Sequence, residues 1–175
     1  MTIDVSDVIS NEGRDLTVEV NLKLDTFSSR LGEFPIARKE AFPLHIANSG
    51  NQKLKIDGRT VLVIRIPCDR CLEDVDVSFS IEIEKEIDLE RLAAGDSEEL
   101  ENACYMIGKE LDVDQLIFGE ILVSWPMKVL CREDCAGICK RCGANLNLVS
   151  CQCQKTEPDP RMAAIQDIFN QYKEV

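Results

Sequence analysis

The chain has 175 residues, of which 45% are hydrophobic and 30% charged, and its formal net charge is −12. This composition supports a folded core and argues against intrinsic disorder. No run reaches the ~18 apolar residues that a transmembrane helix needs, and the first residues lack the basic and apolar regions of a secretory signal. We therefore expect a cytoplasmic protein that makes no contact with a membrane.

The first third of the chain predicts short β-strands. Residues 16–24 alternate apolar and polar side chains, which is typical of a half-buried strand. Residues 32–35 contain Gly and Pro and predict a loop, and residues 41–46 predict another short strand. That strand holds His45, the only histidine of the chain, and a lone histidine in a strand is more often structural than functional.

The next segment predicts a hairpin with cysteines at its tip. Residues 53–67 are strand-like, and the Asp57-Gly58 step within them is typical of a tight turn between two strands. In residues 74–87, the odd positions are apolar except for Lys85 and the even positions are acidic or serine, which predicts a strand with one core face and one acidic face. Cys68 and Cys71 lie between these two stretches and therefore fall at a hairpin tip.

Negative charge concentrates in the middle of the chain. Residues 73–101 contain twelve acids and two bases, a net of −10. Such a run is usually a solvated surface, and the functional alternative is a docking face for a basic partner. The end of this run, from about residue 92 to 102, predicts an exposed loop or a short helix.

Two helices are predicted beyond this acidic segment. Asp112 and Asp114 are good caps for a helix near 112–125, which Pro126 would end. A second helix would begin after Asp159, with an apolar stripe at Met162, Ile165, Ile168, Phe169 and Tyr172. The predicted fold class is α+β: an antiparallel β-rich body with a few helices and a small C-terminal zinc-binding module. We divide the chain into an acidic β-rich body (1–126) and a cysteine-rich metal module with the C-terminal helix (127–175).

Nine cysteines are many for a protein in a reducing compartment. Eight of them form four close pairs, and Cys104 stands alone. An odd number grouped in close pairs favours metal thiolates over a framework of disulfides. The pairs are Cys68 and Cys71, Cys131 and Cys135, Cys139 and Cys142, and Cys151 and Cys153.

The spacing of these pairs predicts one or two zinc ions. A Cys-x2-Cys turn directs two sulfurs to one ion, and Gly143 after Cys142 permits the loop to fold back over it. In an extended segment Cys151 and Cys153 point the same way. We therefore assign the first site to Cys139, Cys142, Cys151 and Cys153, and a candidate second site to Cys68, Cys71, Cys131 and Cys135. Cys68 and Cys71 are alternatively reduced thiols at a turn, and an iron–sulfur centre is an alternative to zinc.

The metal predicted here is structural, and we expect no enzymatic activity. A closed set of four cysteines leaves no open coordination position for a substrate. The sequence shows no Ser/His/Asp set and no glycine-rich phosphate loop, and a single histidine limits general-base chemistry.

Several motifs together resemble one known family. They are Cys68-Asp-Arg-Cys71-Leu, Glu120-Ile-Leu-Val-Ser-Trp-Pro-Met127, the cysteine block from Cys131 to Cys153 and Asp159-Pro-Arg-Met-Ala-Ala-Ile165. This pattern is similar to the YceD family, known for accumulation of the large-subunit ribosomal RNA in bacteria and plastids. The resemblance implies a non-catalytic role in large-subunit biogenesis, and members often lie beside a gene for a small basic ribosomal protein. The C-terminal cysteines occur in only part of that family, which implies a structural metal.

Charge indicates the kind of partner. A strongly acidic protein is a poor match for a phosphate backbone and suits a basic protein better. Residues 128–155 hold five bases and two acids, a net of +3 before any thiolate is counted. We expect contact with a basic ribosomal protein or a large-subunit precursor, with any contact to ribosomal RNA made indirectly. The alternative is a zinc-containing RNA-binding or RNA-processing protein.

Overall fold

The computed structural model describes residues 1–153 and residue 165. The strands are β1 (Thr2–Asp4), β2 (Asp15–Val20), β3 (Thr26–Ser29), β4 (Gly32–Lys39), β5 (Phe42–Asn48), β6 (Lys53–Pro67), β7 (Asp74–Asp88), β8 (Met106–Ile107) and β9 (Glu110–Asp112). The helices are α1 (Ser6–Ser10), α2 (Leu89–Ala93), α3 (Ser97–Asn102) and α4 (Val113–Val123). The C-terminal helix predicted after Asp159 lies outside the described residues, except that Ile165 is helical.

The described strands form two antiparallel sheets. In the larger, six-stranded sheet, β6 pairs with β7 along one edge and with β5 and then β4 along the other, while β2 and β3 lie outermost. The smaller sheet has the order β1-β9-β8. The predicted fold class, an antiparallel β-rich body with a few helices, is confirmed. Within the described part of the chain, no helix has the length and apolarity to cross a bilayer.

Among the described elements, β6 and β7 are the longest, with 15 residues each, and they form one hairpin. Its pairing is continuous from Lys53 opposite Asp88 to Pro67 opposite Asp74, without a register shift. As the alternation predicted, the apolar residues of β7 from Phe79 onward are buried, whereas its acidic residues face solvent. Because the pairing runs to Pro67 and Asp74, residues 68–73 are held at the far end of a rigid ladder.

Two local predictions were wrong, and both concern glycine. Asp57-Gly58 is not a turn: Gly58 lies within β6, opposite Leu44 of β5 and Ile83 of β7. A Cβ at this position would come within 3.0 Å of Leu44 Cδ1 and 3.4 Å of the carbonyl oxygen of Pro43. Gly58 therefore permits close packing between neighbouring strands and does not reverse the chain.

Residues 32–35, predicted as a loop, begin strand β4. Ser29 pairs with Gly32, so the reversal between β3 and β4 uses only the two residues between them. Gly32 has a φ of 137°, a conformation that L side chains disfavour. The glycine flanks the tight turn, and the strand continues through Pro35 at the outer region of the sheet.

Helix α4 packs against β7 and precedes the segment that leads to the cysteines. The side chain of Asp112 caps it by accepting hydrogen bonds from the backbone N–H groups of Asp114 and Gln115. Beyond the helix, Trp125 stacks against Phe27 at 5.2 Å between ring centroids and contacts Phe79 at 5.7 Å. These aromatic contacts bring residues 126–131 back along the sheet to the tip of the hairpin.

Candidate metal centres

The tip of the β6–β7 hairpin is a short loop closed by its own backbone. The N–H of Cys68 donates to the carbonyl of Glu73 (2.8 Å), and the N–H of Leu72 donates to the carbonyl of Cys68 (2.9 Å). Leu72 has a φ of 62°, the left-handed conformation that a tight reversal needs. The loop thereby presents Cys68 and Cys71 on the same side.

The segment after α4 docks on this tip through backbone groups. The N–H of Asp69 donates to the carbonyl of Val129 (2.9 Å), and the N–H of Val129 donates to a side-chain oxygen of Asp69 (2.7 Å). A guanidinium nitrogen of Arg70 donates to the carbonyl of Cys135 (2.8 Å), and its own carbonyl accepts from the N–H of Ile138 (3.1 Å). These four hydrogen bonds position the C-terminal segment at the tip without any contribution from sulfur.

Four sulfurs meet where the two segments touch. We name Cys68, Cys71, Cys131 and Cys135 the hairpin cluster; their Sγ atoms all lie within 4.8 Å of one another. Two of the separations are 3.8 Å (Cys68 to Cys135) and 3.5 Å (Cys71 to Cys131). Tetrahedral zinc with Zn–S bonds of about 2.3 Å requires sulfurs about 3.8 Å apart. The donor set and its spacing therefore fit a zinc ion.

The hairpin cluster is shielded from solvent. Cys68 and Cys135 are 0% and 2% exposed, Cys71 is 5% exposed, and only Cys131 is open to solvent. The side-chain amide of Asn147 donates to the sulfur of Cys135 at 3.3 Å. An amide donor to a ligating sulfur delocalises thiolate charge and orients the ligand.

Within the hairpin cluster, two thiols, Cys68 and Cys135, are biased toward the thiolate. Burial raises the pKa of Cys135, but hydrogen bonds from the Asn147 side chain and the Gly137 backbone hold it below its ordinary value. Burial disfavours the Cys68 thiolate, but the backbone N–H groups of Cys71 and Arg70 donate to it and lower its pKa to about 6. Burial and the neighbouring sulfurs raise the pKa of Cys131 to about 12. Since a metal binds thiolates, a divalent cation at the centre would remove the remaining protons.

The second group of sulfurs, the knuckle cluster, is formed by Cys139, Cys142, Cys151 and Cys153. These four Sγ atoms also lie within 4.8 Å of one another. The N–H of Gly143 donates to the carbonyl of Cys139 (2.8 Å), and Gly143 has a φ of 71°. The turn thus has the geometry expected for a Cys-x2-Cys-Gly knuckle.

The knuckle cluster is more open than the hairpin cluster. Cys142 is exposed and the other three cysteines are half-buried. The backbone N–H groups of Cys142 and Arg141 lower the pKa of Cys139 to about 6. A hydrogen bond with Cys142 and burial raise the pKa of Cys153 to about 12. All four donors again belong to one closed set of soft ligands, which fits zinc.

The structure thus brings together both predicted sets of four cysteines. Cys104 is exposed and lies in neither set. His45 also belongs to neither set; it lies on the sheet surface between Asp15 and Asp57, at 3.6 and 3.9 Å.

Sequence reasoning missed the residues that join the two segments. Asp69 and Asn147 carry hydrogen bonds at the hairpin cluster, and Gly137 permits the close approach. A Cβ on Gly137 would lie 3.0 Å from the carbonyl oxygen of Arg70, and its φ is 76°. The Cys-x-Gly spacing before Cys139 was the one sequence feature that could have pointed to Gly137.

The architecture and the clusters define a class: a β-rich protein in which cysteines gather a hairpin tip and the segment behind it around candidate metal centres. The family model described as "Large ribosomal RNA subunit accumulation protein YceD" matches residues 56–169, a range that includes both clusters. The chain belongs to the YceD family, and the resemblance inferred from its motifs is confirmed.

Two curated relatives carry the same name, "Large ribosomal RNA subunit accumulation protein YCED homolog 1, chloroplastic". The protein from Arabidopsis thaliana is 29% identical over 134 residues, which is 62% of this chain and 42% of the relative. The protein from Zea mays is 29% identical over 130 residues, which is 58% of this chain and 44% of the relative. The chain spans less than half the length of these relatives. No solved structure matches the chain.

Proposed function

We propose that the protein is a non-catalytic factor that supports accumulation of the large ribosomal RNA and biogenesis of the large ribosomal subunit. The observation that carries this proposal is membership of the YceD family over a range that includes both cysteine clusters. The relatives' names refer to large ribosomal RNA accumulation and to no reaction. Closed sets of four cysteines also suit a structural ion better than a catalytic one.

Each cluster is proposed to hold one zinc ion. The hairpin cluster would join residues 68–71 of the body to residues 131–135, and the knuckle cluster would close residues 139–153 on themselves. The division into a β-rich body (1–126) and a metal module (127–175) accordingly remains a proposal in which zinc links the two parts. Free thiols in metal-like sets suit a reducing compartment, and we propose the cytoplasm.

The proposed partner is a basic ribosomal protein or a large-subunit precursor, with ribosomal RNA contacted through it. The net charge of −12 opposes binding to phosphate backbones and favours a cationic protein. Pull-down of tagged protein from nuclease-treated lysate tests this. Large-subunit proteins should remain bound after nuclease, and their complete loss would show that RNA was the tether.

The function is tested by deletion of the gene and complementation. Deletion should lower the ratio of large to small ribosomal RNA, and the wild-type chain should restore it. Cys135→Ser, which removes a buried ligand of the hairpin cluster, should restore it poorly, whereas Cys104→Ser should restore it fully. An unchanged rRNA ratio in the deletion strain would refute the proposed function.

An RNA-binding or RNA-processing role is the second candidate, because Lys140 and Arg141 are exposed on the turn of the knuckle cluster. The double variant Lys140→Ala/Arg141→Ala separates the two. Affinity for large-subunit RNA should fall steeply if the knuckle grips RNA, and should change little if a basic protein is the partner. Binding is measured by filter retention at fixed salt, since phosphate contacts depend strongly on ionic strength.

A further inference from the structure

The acidity of the middle segment is not distributed evenly. Along the β6–β7 hairpin, bases on β6 face acids on β7: Arg59 with Glu82 at 2.8 Å and Lys53 with Glu86 at 2.6 Å. Arg65 and Asp76 form a third cross-strand pair, also at 2.8 Å. These pairs neutralise part of the negative charge of this face, as on a solvated surface.

The negative charge remains uncompensated around α2 and α3. Residues 88–101 hold six acids and one base, a net of −5. That base, Arg91, is shared between Asp96 (2.9 Å) and Glu98 (3.1 Å). Within residues 1–153, neither Glu90 nor Glu101 forms an ion pair, and both are exposed.

An apolar groove lies next to these acids. It has a volume of about 440 Å³ and is lined by side chains of α1, α2, α3 and β8, chiefly Ile9, Leu89, Leu92, Leu100 and Met106. Leu100, which lies between Glu99 and Glu101 in the sequence, is 49% exposed. The volume suits one or two large apolar side chains of a partner.

We propose that this groove, with its acidic rim, binds a lysine- and arginine-rich protein segment through an apolar side chain flanked by basic residues. The inference rests on the proposed function, whose basic partner it assigns to a surface. Charge complementarity selects this occupant: the apolar side chain fills the groove, and its basic neighbours meet Glu90 and Glu101. The net charge of −5 over residues 88–101 would repel a nucleic acid. A second copy of this chain has a net charge of −12 and would also be repelled.

Lys109 is the cation that lines the groove. Its charge acts on Asp4 of the neighbouring strand β1 and helps, after the hydrogen bonds from Ser6, to hold the pKa of Asp4 below its usual value. Lys109 lies between β8 and β9 of the small sheet. The basic flanks of the segment would lie against Glu90 and Glu101, which directly follow the groove residues Leu89 and Leu100 in the chain.

The test is fluorescence anisotropy on the full chain, with a labelled peptide of lysines and arginines around a central leucine as the probe. Leu100→Gln should weaken binding about five- to tenfold, because it removes half-exposed apolar surface from the groove. Replacing the central leucine of the peptide by serine should weaken binding to the wild-type protein by a similar factor. The same replacement should weaken binding to Leu100→Gln little further, since the two changes remove the same contact. Glu90→Gln/Glu101→Gln should weaken binding and reduce its dependence on salt.

Matched controls lie elsewhere on the surface. Leu148→Gln removes an exposed leucine of the metal module, and Glu84→Gln removes an exposed acid of the hairpin; both should leave peptide affinity unchanged. Leu100 is half-exposed, so Leu100→Gln should keep the thermal midpoint of the wild type. Equal peptide affinity for wild type and Leu100→Gln, equal loss in the controls, or preference for an RNA oligonucleotide over the peptide would each overturn the proposal.

The outcome separates this inference from the function on which it rests. If the peptide does not bind while deletion still lowers large ribosomal RNA, the groove is not the docking site and the proposed function stands. If deletion leaves the RNA ratio unchanged while Leu100→Gln weakens peptide binding, the groove binds basic segments and the proposed function is wrong.

Discussion

Replacing Cys68 with serine removes a fully buried ligand of the hairpin cluster, and its consequences can be worked out from the loop that the cluster closes. Zinc between Cys68 and Cys135 would cross-link positions 67 residues apart. In the chain-entropy model such a cross-link stabilises the fold by about 4 kcal/mol. For a chain of this size, that loss lowers the thermal midpoint by about 10 °C.

The assay combines metal content with thermal unfolding. Inductively coupled plasma mass spectrometry of Cys68→Ser should show one zinc ion fewer per chain than the wild type. Cys104→Ser is the matched control, because this cysteine is exposed and belongs to neither cluster; it should keep both the metal and the thermal midpoint. Equal metal content and equal thermal midpoints in Cys68→Ser and Cys104→Ser would refute a zinc cross-link at the hairpin cluster.

Cys142→Ser distinguishes loss of a cross-link from a general effect of losing a cysteine. This variant should also lose one zinc ion. The knuckle cluster closes only the short loop from Cys139 to Cys153, so the entropic stabilisation lost is about 3 kcal/mol. Its thermal midpoint should therefore fall less than that of Cys68→Ser, and an equal or larger fall would contradict the loop argument.

Three further outcomes follow from packing and exposure. Gly58→Ala should destabilise the fold by about 1–3 kcal/mol, because the added Cβ meets Leu44 at 3.0 Å in a closed core. Gly119→Ala should instead stabilise it by about 0.5–1 kcal/mol, because Gly119 lies in helix α4 with open space around it. Changes of the opposite sign in urea unfolding would contradict this packing of the sheet. Phe27→Ala should cost about 3–5 kcal/mol, since Phe27 is 1% exposed and stacks on Trp125, whose fluorescence, as the only tryptophan, reports the unfolding. Zinc release to a chromophoric chelator should be biphasic, with the more open knuckle cluster emptying first and the slow phase missing in Cys68→Ser. A single phase would show that burial does not control release.

The features predictable from sequence are those in which local pattern and tertiary environment agree. The alternation of residues 74–87 has Lys85 as its one exception, so one face of β7 could be assigned to the core without knowing its partners. The cysteine spacing defined two sets of four because each close pair can direct two sulfurs to one point. The structure brings both of these sets together.

The features that sequence did not reveal depend on distant neighbours. Gly58 resembles a turn residue beside Asp57, and only the presence of Leu44 and Pro43 explains why a side chain is excluded there. The pairing of β1 with β9 joins residues more than a hundred positions apart, which no local period encodes. The groove beside α3 is likewise assembled from separate elements, so the acidic run alone left its role open between solvated surface and docking face.

The separation of the hairpin cysteines along the chain orders events during synthesis. The knuckle cluster is contained within residues 139–153 and can gather its sulfurs as soon as that stretch is free. The hairpin cluster can form only after Cys135 has left the ribosome, because Cys68 and Cys71 share their site with Cys131 and Cys135. By that time the β6–β7 ladder can have formed. A nascent chain stalled before Cys131 would therefore carry a folded hairpin with two free thiols at its tip. Metal capture at that tip would become possible once Cys135 emerges, before all cysteines of the knuckle cluster have left the ribosome.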